Sequence, residues 1–303
     1  MLDIEKIKIT TLSENTVADI YYVAEWGFSV HISIEGGLSI LFDTGFRNAC
    51  IYNATVAGIR LSEVDMILLS HGHSDHTGGL RSVLKRIKQE NPNRTHVDIL
   101  CHPEAIEPQY VNHGEQYFYR GCPHAIEELI SLGAKFKTSA EPTWLSENIL
   151  LSGEVPLTTD FESVSPICYL KKNNEYVNSA VDDDQSVFIL TSKGLIIILG
   201  CAHRGMVNTI LHAQKRTGIQ EIYMVIGGTH LLNTSPIQQQ QTLKALQDMK
   251  VQKVGVSHCT GMRPAAFLSE SLGSERFFFN NAGAVITFSG QRVNVKAFER
   301  FDV

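Results

Sequence analysis

Apolar positions along this chain change rhythm repeatedly, and each change marks an element. Ile7 to Leu12, Val30 to Ile34 and Leu38 to Phe42 are short runs rich in β-branched and aromatic residues. Glu35-Gly36-Gly37 separates the last two and predicts a hairpin. Asp43-Thr44-Gly45 closes the third strand, and Cys50 to Ile59 can be helical. Met66 to Leu69 is a buried-strand pattern. Gly79 to Gln89 then carries Leu80, Val83, Leu84 and Ile87 at helical spacing. After a strand at Val97 to Cys101 and a helix at Ala125 to Leu132, the chain turns strand-rich again. Val187 to Leu190 and Leu195 to Leu199 flank Ser192-Lys193-Gly194 as a second hairpin. Helix and strand then alternate: Met206 to Arg216, Glu221 to Ile226, Ile237 to Met249, Lys253 to Val256. Two halves, each with strands followed by helices, predict a layered α/β sandwich.

Composition changes this picture little. The chain has 303 residues, 43% hydrophobic and 19% charged, enough for a sizeable core. A net charge of -6 gives no support for a nucleic-acid partner, which usually needs a basic face. The longest apolar runs are too short to span a membrane, and the start, Met1-Leu2-Asp3-Ile4-Glu5-Lys6, is charged. Six scattered cysteines without a C-x-x-C pair suit reduced thiols in the cytoplasm. The expected partner is a small-molecule substrate, with neither nucleic acid nor membrane, and the oligomeric state stays open.

Chemistry concentrates in His71-Gly72-His73-Ser74-Asp75-His76, directly after the Met66 to Leu69 strand. Neutral imidazole and carboxylate are the ligands that borderline divalent metals such as zinc prefer. A solvated His-rich loop is the bland alternative. With 12 histidines in the chain, however, an H-x-H-x-D-H match arises by chance only on the order of 0.001 times. Three further histidines, His203, His230 and His258, each follow an apolar strand, and strand ends are where ligands gather in layered α/β folds.

At these residues the chain resembles the metallo-β-lactamase superfamily, whose signature is H-x-H-x-D-H after a strand. The resemblance implies one αββα four-layer sandwich over 1–303, with a loop-rich insertion near 103–160 and a two-metal site at one edge. It assigns His71 and His73 to one metal, and Asp75 and His76 to the second. His258 matches the family's final metal histidine. The family commonly has a bridging Asp at an earlier strand end, where this chain has Gly200-Cys201. His203, two residues later, is the natural substitute. The family's third histidine for the first metal falls here at Asp182-Asp183-Asp184-Gln185-Ser186, so either an Asp ligates or His203 completes that site. The implied ligand set is His71, His73, Asp75, His76, His203 and His258, holding two divalent ions, zinc first, with iron or manganese as alternates. Gly200-Cys201-Ala202-His203-Arg204-Gly205, Gly227-Gly228-Thr229-His230-Leu231 and His258-Cys259-Thr260-Gly261 narrow the resemblance. They are similar to the subgroup named for an archaeal dihydropterin-ribofuranosylaminobenzene phosphate synthase, as are Asp43-Thr44-Gly45, His102-Pro103 and Gly153-Glu154-Val155-Pro156.

The expected function is a metal-dependent hydrolase or transferase acting on a phosphate- or diphosphate-containing small molecule, pterin-like if the subgroup holds. Asp75 would ligate metal and orient the nucleophile. His230 would donate a hydrogen bond to a phosphate or a developing oxyanion, or fix a ligand instead. Arg204 and Arg263 suit phosphate contact. Tyr117, Phe118, Tyr119 and Arg120 either stack on a substrate or pack the insertion down. Two other classes stand beside this reading. A di-iron oxidoreductase normally needs a flavin domain, and no Gly-x-Gly-x-x-Gly run is present. A non-catalytic metal-binding protein sits poorly with the complete motif.

Overall fold

The computed structural model describes residues 1–289 and 292–296. Two large sheets face each other. The first has eight strands in the spatial order Arg292–Lys296, Val285–Ser289, Ile7–Ser13, Ser29–Ile34, Ser39–Phe42, Met66–Leu68, Val97–Cys101, Ala134–Thr138. The second has seven: Phe277–Phe279, Lys253–Ser257, Ile222–Gly228, Gly194–Leu199, Ser186–Thr191, Ile149–Leu151, Thr143–Ser146.

Alternation along the strands separates three apolar layers. Ile9, Val30, Ile32, Ile40 and Phe42 of the first sheet meet Ile189, Ile196, Ile198 and Ile226 of the second in the central layer. On the outer face of the first sheet, Leu41, Ile67 and Ile99 pack under Leu80, Val83, Leu84 and Ile87 of the helix Leu80–Glu90. On the outer face of the second, Leu195, Ile197 and Leu199 pack under the helices Met206–Thr217, Pro236–Asp248 and Met262–Leu272. The architecture is therefore αββα. Leu195 to Leu199 is buried on both faces, so it reads as a continuous apolar run. Each such side chain contributes roughly 1.5–3 kcal/mol on burial.

Both hairpins form. Ser29–Ile34 pairs antiparallel with Ser39–Phe42 across Gly36, whose φ of 69° suits glycine. Ser186–Thr191 pairs with Gly194–Leu199. The predicted helices end within a few residues of the observed Ala49–Val56, Leu80–Glu90, Ile126–Ser131, Met206–Thr217 and Pro236–Asp248.

Two regions differ from expectation. The stretch 103–160 is not a loop-rich excursion. Ala134–Thr138 borders the first sheet, while Thr143–Ser146 borders the second, next to the fully buried strand Ile149–Leu151. Edge strands are short and half-exposed, and Lys135 and Lys137 break the apolar pattern, as edge strands often require. Gln109–His113 and Gln116–Tyr119 join Cys168–Lys172 and Glu175–Asn178 in a separate four-stranded sheet. The second region is the C-terminal set after Lys253–Ser257. Its helix Met262–Leu272 has Pro264 in its first turn, where proline is tolerated but masks the helical pattern.

The strands that matter for function run parallel. Ser39–Phe42 and Met66–Leu68 pair in parallel in the first sheet. Gly194–Leu199, Ile222–Gly228 and Lys253–Ser257 do so in the second. The residues following their C-terminal ends are the ones the motifs singled out.

Candidate metal centre

Asp43 sits just past the strand Ser39–Phe42, fully buried, with φ at 59°. Its Oδ1 accepts the backbone N–H of Ser70 at 2.7 Å. Its Oδ2 accepts from the Ser70 hydroxyl at 2.7 Å and from His76 Nδ1 at 2.6 Å. Having spent its proton on Asp43, the Ser70 oxygen accepts from His71 Nδ1 at 2.8 Å. One carboxylate thus sets two tautomers, His76 directly and His71 through Ser70. In the neutral form of both rings Nε2 keeps its lone pair, the arrangement a metal ligand needs. Gly200 makes the relay fit, because a Cβ there would lie 2.3 Å from Ser70 Oγ.

The free nitrogens converge. His71 Nε2 lies 3.0 Å from His73 Nδ1 and 3.2 Å from His203 Nε2. His76 Nε2 lies 3.1 Å from Cys201 Sγ. His258 Nε2 lies 3.2 Å from Asp75 Oδ2 and makes no well-formed hydrogen bond. Two donor groups result: His71, His73 and His203; and Asp75, His76 and His258. The donor atoms within each lie within 4.8 Å of one another. Cys201 belongs to a group with His71 and His76, and to another with His258 and Cys259. Buried lone pairs pointed at one another are unfavourable unless a cation lies between them. The donor set is nitrogen, oxygen and sulfur in the proportions zinc accepts.

Electrostatics agree with this donor set. Burial, then the neighbouring imidazoles, hold His71 and His203 well below the usual histidine range. Burial also lowers His73, although Asp75 and Asp183 pull the other way. Neutral imidazoles are the form that ligates metal. His76 is the exception. Burial opposes its charge, but the Asp43 carboxylate raises it to about 9. Burial disfavours the Asp75 carboxylate as well, yet His258 and His76 bring it well below the usual range.

His73, Asp75, His203 and His258 line a cleft of about 170 Å³ together with Trp26, Cys201, His230 and Cys259, among others, while His71 and His76 are fully buried. His230 also has positive φ, 51°, and its ring centroid is 4.2 Å from that of His203. Among the described residues it joins none of the donor groups. Burial, then the imidazoles around it, lower His230 to about 4.

Other candidates lie elsewhere. Asp183 accepts from Gly72 N–H at 2.8 Å and from Gln109 Nε2 at 2.7 Å, clamping the motif loop. Asp184 accepts the backbone N–H of Arg204 at 3.0 Å. Arg204 is turned inward, with Nη1 on Ala180 O at 2.8 Å and Asp182 Oδ1 at 2.6 Å, and with Nε on Val155 O. It is committed to holding that loop and is not free for a phosphate. Arg263 is exposed and does not line the cleft. Tyr117 stacks on Tyr176 at 3.7 Å, and Tyr110 meets Tyr119 and Tyr176 edge-on, so these rings pack on one another within the four-stranded sheet. His102 Nε2 meets Glu154 Oε1 at 3.2 Å, which joins two of the motifs noted in the sequence.

Several participants escaped the sequence reading. Trp26 Nε1 donates to Asp75 Oδ2 at 3.0 Å. Glu14 accepts the backbone N–H of His258 at 2.6 Å, and Asn15 Oδ1 contacts His258 Nδ1 at 3.0 Å. Glu162 caps the helix behind His203 by accepting from Val207 and Asn208 N–H at 2.9 and 2.7 Å. These contacts cross long sequence separations and carry no local signature. Only Asp43, in the Asp-Thr-Gly turn already noticed, had a signal that chemistry would use.

Comparison with known proteins supports the same frame. The sequence profile of the metallo-beta-lactamase superfamily matches residues 27–154. The chain is 33% identical to the 7,8-dihydropterin-6-methyl-4-(beta-D-ribofuranosyl)-aminobenzene-5'-phosphate synthase of Methanocaldococcus jannaschii, over 94% of this chain and 98% of that protein. It is 29% identical to an uncharacterized protein of the same organism, over 92% and 99% of the two chains. The solved structure of Tm1679, described as a metal-dependent hydrolase of the beta-lactamase superfamily, superposes with a TM-score of 0.78 at 27% identity, covering 94% of this chain and all of that one. Among the described residues no helix is long and apolar enough to cross a membrane. With its αββα layers, its His-rich strand ends and full-length similarity at this level, the chain belongs to the metallo-beta-lactamase superfamily, whose fold implies binding of divalent metal.

Proposed function

We propose that this protein is a two-metal enzyme acting on a phosphate- or diphosphate-containing small molecule, with zinc as the first candidate metal. The observation that carries this is the convergence of two three-residue donor groups on one small cleft. His71, His73 and His203 would hold one ion, and Asp75, His76 and His258 the other. Divalent ions bound by these residues would supply Lewis-acid polarisation of a phosphoryl oxygen and would ease proton loss from an attacking nucleophile at neutral pH. The chain's own groups do the rest. Asp75, fixed by the Trp26 indole N–H, orients the nucleophile. His230 is neutral and donates an N–H to charge that develops on the substrate. Water as the nucleophile makes the reaction a hydrolysis, and an organic acceptor makes it a transfer with loss of diphosphate. Similarity to the archaeal synthase favours transfer to an aryl ribofuranosyl phosphate from a pterin diphosphate.

Elemental analysis of protein purified without chelator tests the centre, with about two equivalents of divalent metal expected. A protein that stays metal-free after supplementation overturns it. The chemistry is tested by assaying the loaded protein on a generic phosphodiester, and on a pterin diphosphate with and without an aryl ribofuranosyl phosphate. Product formed only with the acceptor present identifies a transferase. No turnover of any of the three refutes the substrate class. His230→Ala separates substrate from metal roles. The variant should keep its metal and lose catalytic efficiency by about 100-fold, the scale of one lost oxyanion donor. Loss of one metal equivalent would instead make His230 a ligand and reopen the place of His203.

A further inference from the structure

Arg120 directly follows the strand Gln116–Tyr119 and is the member of that cluster which the packing of the rings leaves over. Its backbone is tied to the metal motif. Arg120 N–H donates to Gln109 O at 2.8 Å, and Arg120 O accepts from the N–H of Ser74, between His73 and Asp75, at 2.7 Å. Further along, His124 Nε2 contacts Gly78 O at 2.9 Å. Both ends of this segment are thus fixed against the short helix Ser74–Thr77.

The Arg120 side chain is exposed and, among the described residues, has no carboxylate, carbonyl or ring partner. Other cations of the surrounding elements are neutralised: Lys172 on Glu104, Arg81 on Glu128 and Arg204 on Asp182. Burial acts most strongly on His73, but Arg120 is close enough for its charge to disfavour a proton there as well. His73 lines the cleft, which puts this guanidinium at the rim. An unpaired cation beside bound divalent ions is repelled by them unless an anion lies between. Asp75 supplies the only carboxylate of the two donor groups, so the balancing negative charge falls to the ligand. A guanidinium fork takes phosphate through two parallel N–H bonds.

We infer that Arg120 binds the phosphate that does not reach the two donor groups, the distal phosphate of a diphosphate, and so selects diphosphate over monophosphate ligands. The inference rests on the phosphate-handling reading above and assigns recognition of one phosphate to the protein itself.

Methyl diphosphate and methyl phosphate are the probes, because they differ by that one group. Each is titrated calorimetrically into metal-loaded wild-type, Arg120→Gln and Arg120→Lys protein, and metal content is measured on the recovered samples. The structural bonds of Arg120 are made by its backbone, so both variants retain the fold. Wild-type protein should prefer methyl diphosphate. Arg120→Gln should bind it about 10-fold more weakly, the scale of one lost charge-assisted contact, while methyl phosphate weakens by less than about 3-fold. Arg120→Lys, which keeps the charge without the fork, should recover part of the loss. Undiminished binding of methyl diphosphate in Arg120→Gln overturns the inference and leaves the phosphate reading standing. Equal weakening of both probes also overturns it, since Arg120 would then act only as a general field. Ribose 5-phosphate, added to protein saturated with methyl phosphate, tests an anion on a second substrate. A loss confined to that arm overturns the diphosphate assignment. Wild-type protein that keeps its metal and binds neither methyl ester removes the phosphate reading and the inference with it.

Discussion

Asp75→Ala should leave a folded protein that no longer turns over substrate. The side chain contributes little to the core: it is about one-fifth exposed and faces the cleft. The structural bonds of this residue are made by its backbone. Asp75 O accepts from Phe28 N–H at 3.1 Å, and the short helix Ser74–Thr77 around it closes by main-chain bonds that alanine retains. The carboxylate, in contrast, lies 3.2 Å from His258 Nε2 and accepts from Trp26 Nε1. Its removal takes the only anionic oxygen from that donor group and leaves His258 Nε2 without its carboxylate partner, while His76 keeps Asp43. Both metal affinity at that position and orientation of the nucleophile are lost together, so catalytic efficiency should fall on the order of 1,000-fold or more. Circular dichroism, metal content and turnover are to be measured on one preparation. Near-native spectra with one metal equivalent lost and no turnover are the expected result, and undiminished turnover would refute the role. Asp75→Asn, which keeps an acceptor for Trp26 but not the charge, should fall almost as far.

The degree to which this centre is legible in sequence follows from how far apart its parts lie. His71, His73, Asp75 and His76 occupy six consecutive residues, so local spacing exposes them. His203, His230 and His258 are separated in sequence but share a context, an apolar strand that ends just before each. That context survives because buried parallel strands must be apolar on both faces. The tautomer-setting contact between Asp43 and His76 crosses 33 residues, and the Glu14 contact to His258 crosses 244. No pattern of spacing encodes such pairs. Arg204 shows the opposite failure. Its position beside His203 suggested phosphate binding, but its guanidinium is spent on the carbonyls and carboxylate of the loop behind the site. Charge in sequence indicates chemistry only when the fold leaves the group unpaired. The outer strands of the 103–160 stretch were hidden for a related reason: half-exposed edges do not need an apolar run. Most of the layered core, which does need one, was readable; the exceptions are Ile149–Leu151 and the elements from Met262–Leu272 onward.

Asp43 is the residue whose loss should reach furthest, because it belongs to neither donor group and yet sets the tautomers of His71 and His76. In Asp43→Asn the backbone survives, since asparagine tolerates the left-handed conformation at φ 59°. The amide nevertheless presents an N–H where an acceptor stood. Facing that donor, His76 does best with its lone pair on Nδ1 and its proton on Nε2, the wrong tautomer for ligation. Ser70 loses its acceptor as well, and with it the relay that fixes His71. Metal affinity at both positions should fall by about 10- to 100-fold, read by competition with a chelating dye. Asp43→Ala adds a folding defect of about 3–5 kcal/mol, because it leaves a buried partner uncompensated. The metal-free proteins carry an independent signature. The folded-state value of His76 is raised to about 9 from 6.5. Its stabilising contribution, on the order of 3 kcal/mol, is therefore complete below pH 6.5 and lost as pH rises through about 9. Urea midpoints of chelated wild-type protein should decline across that window, while those of Asp43→Asn stay nearly flat. Parallel declines in the two proteins would show that the Asp43–His76 contact is not what holds the centre together.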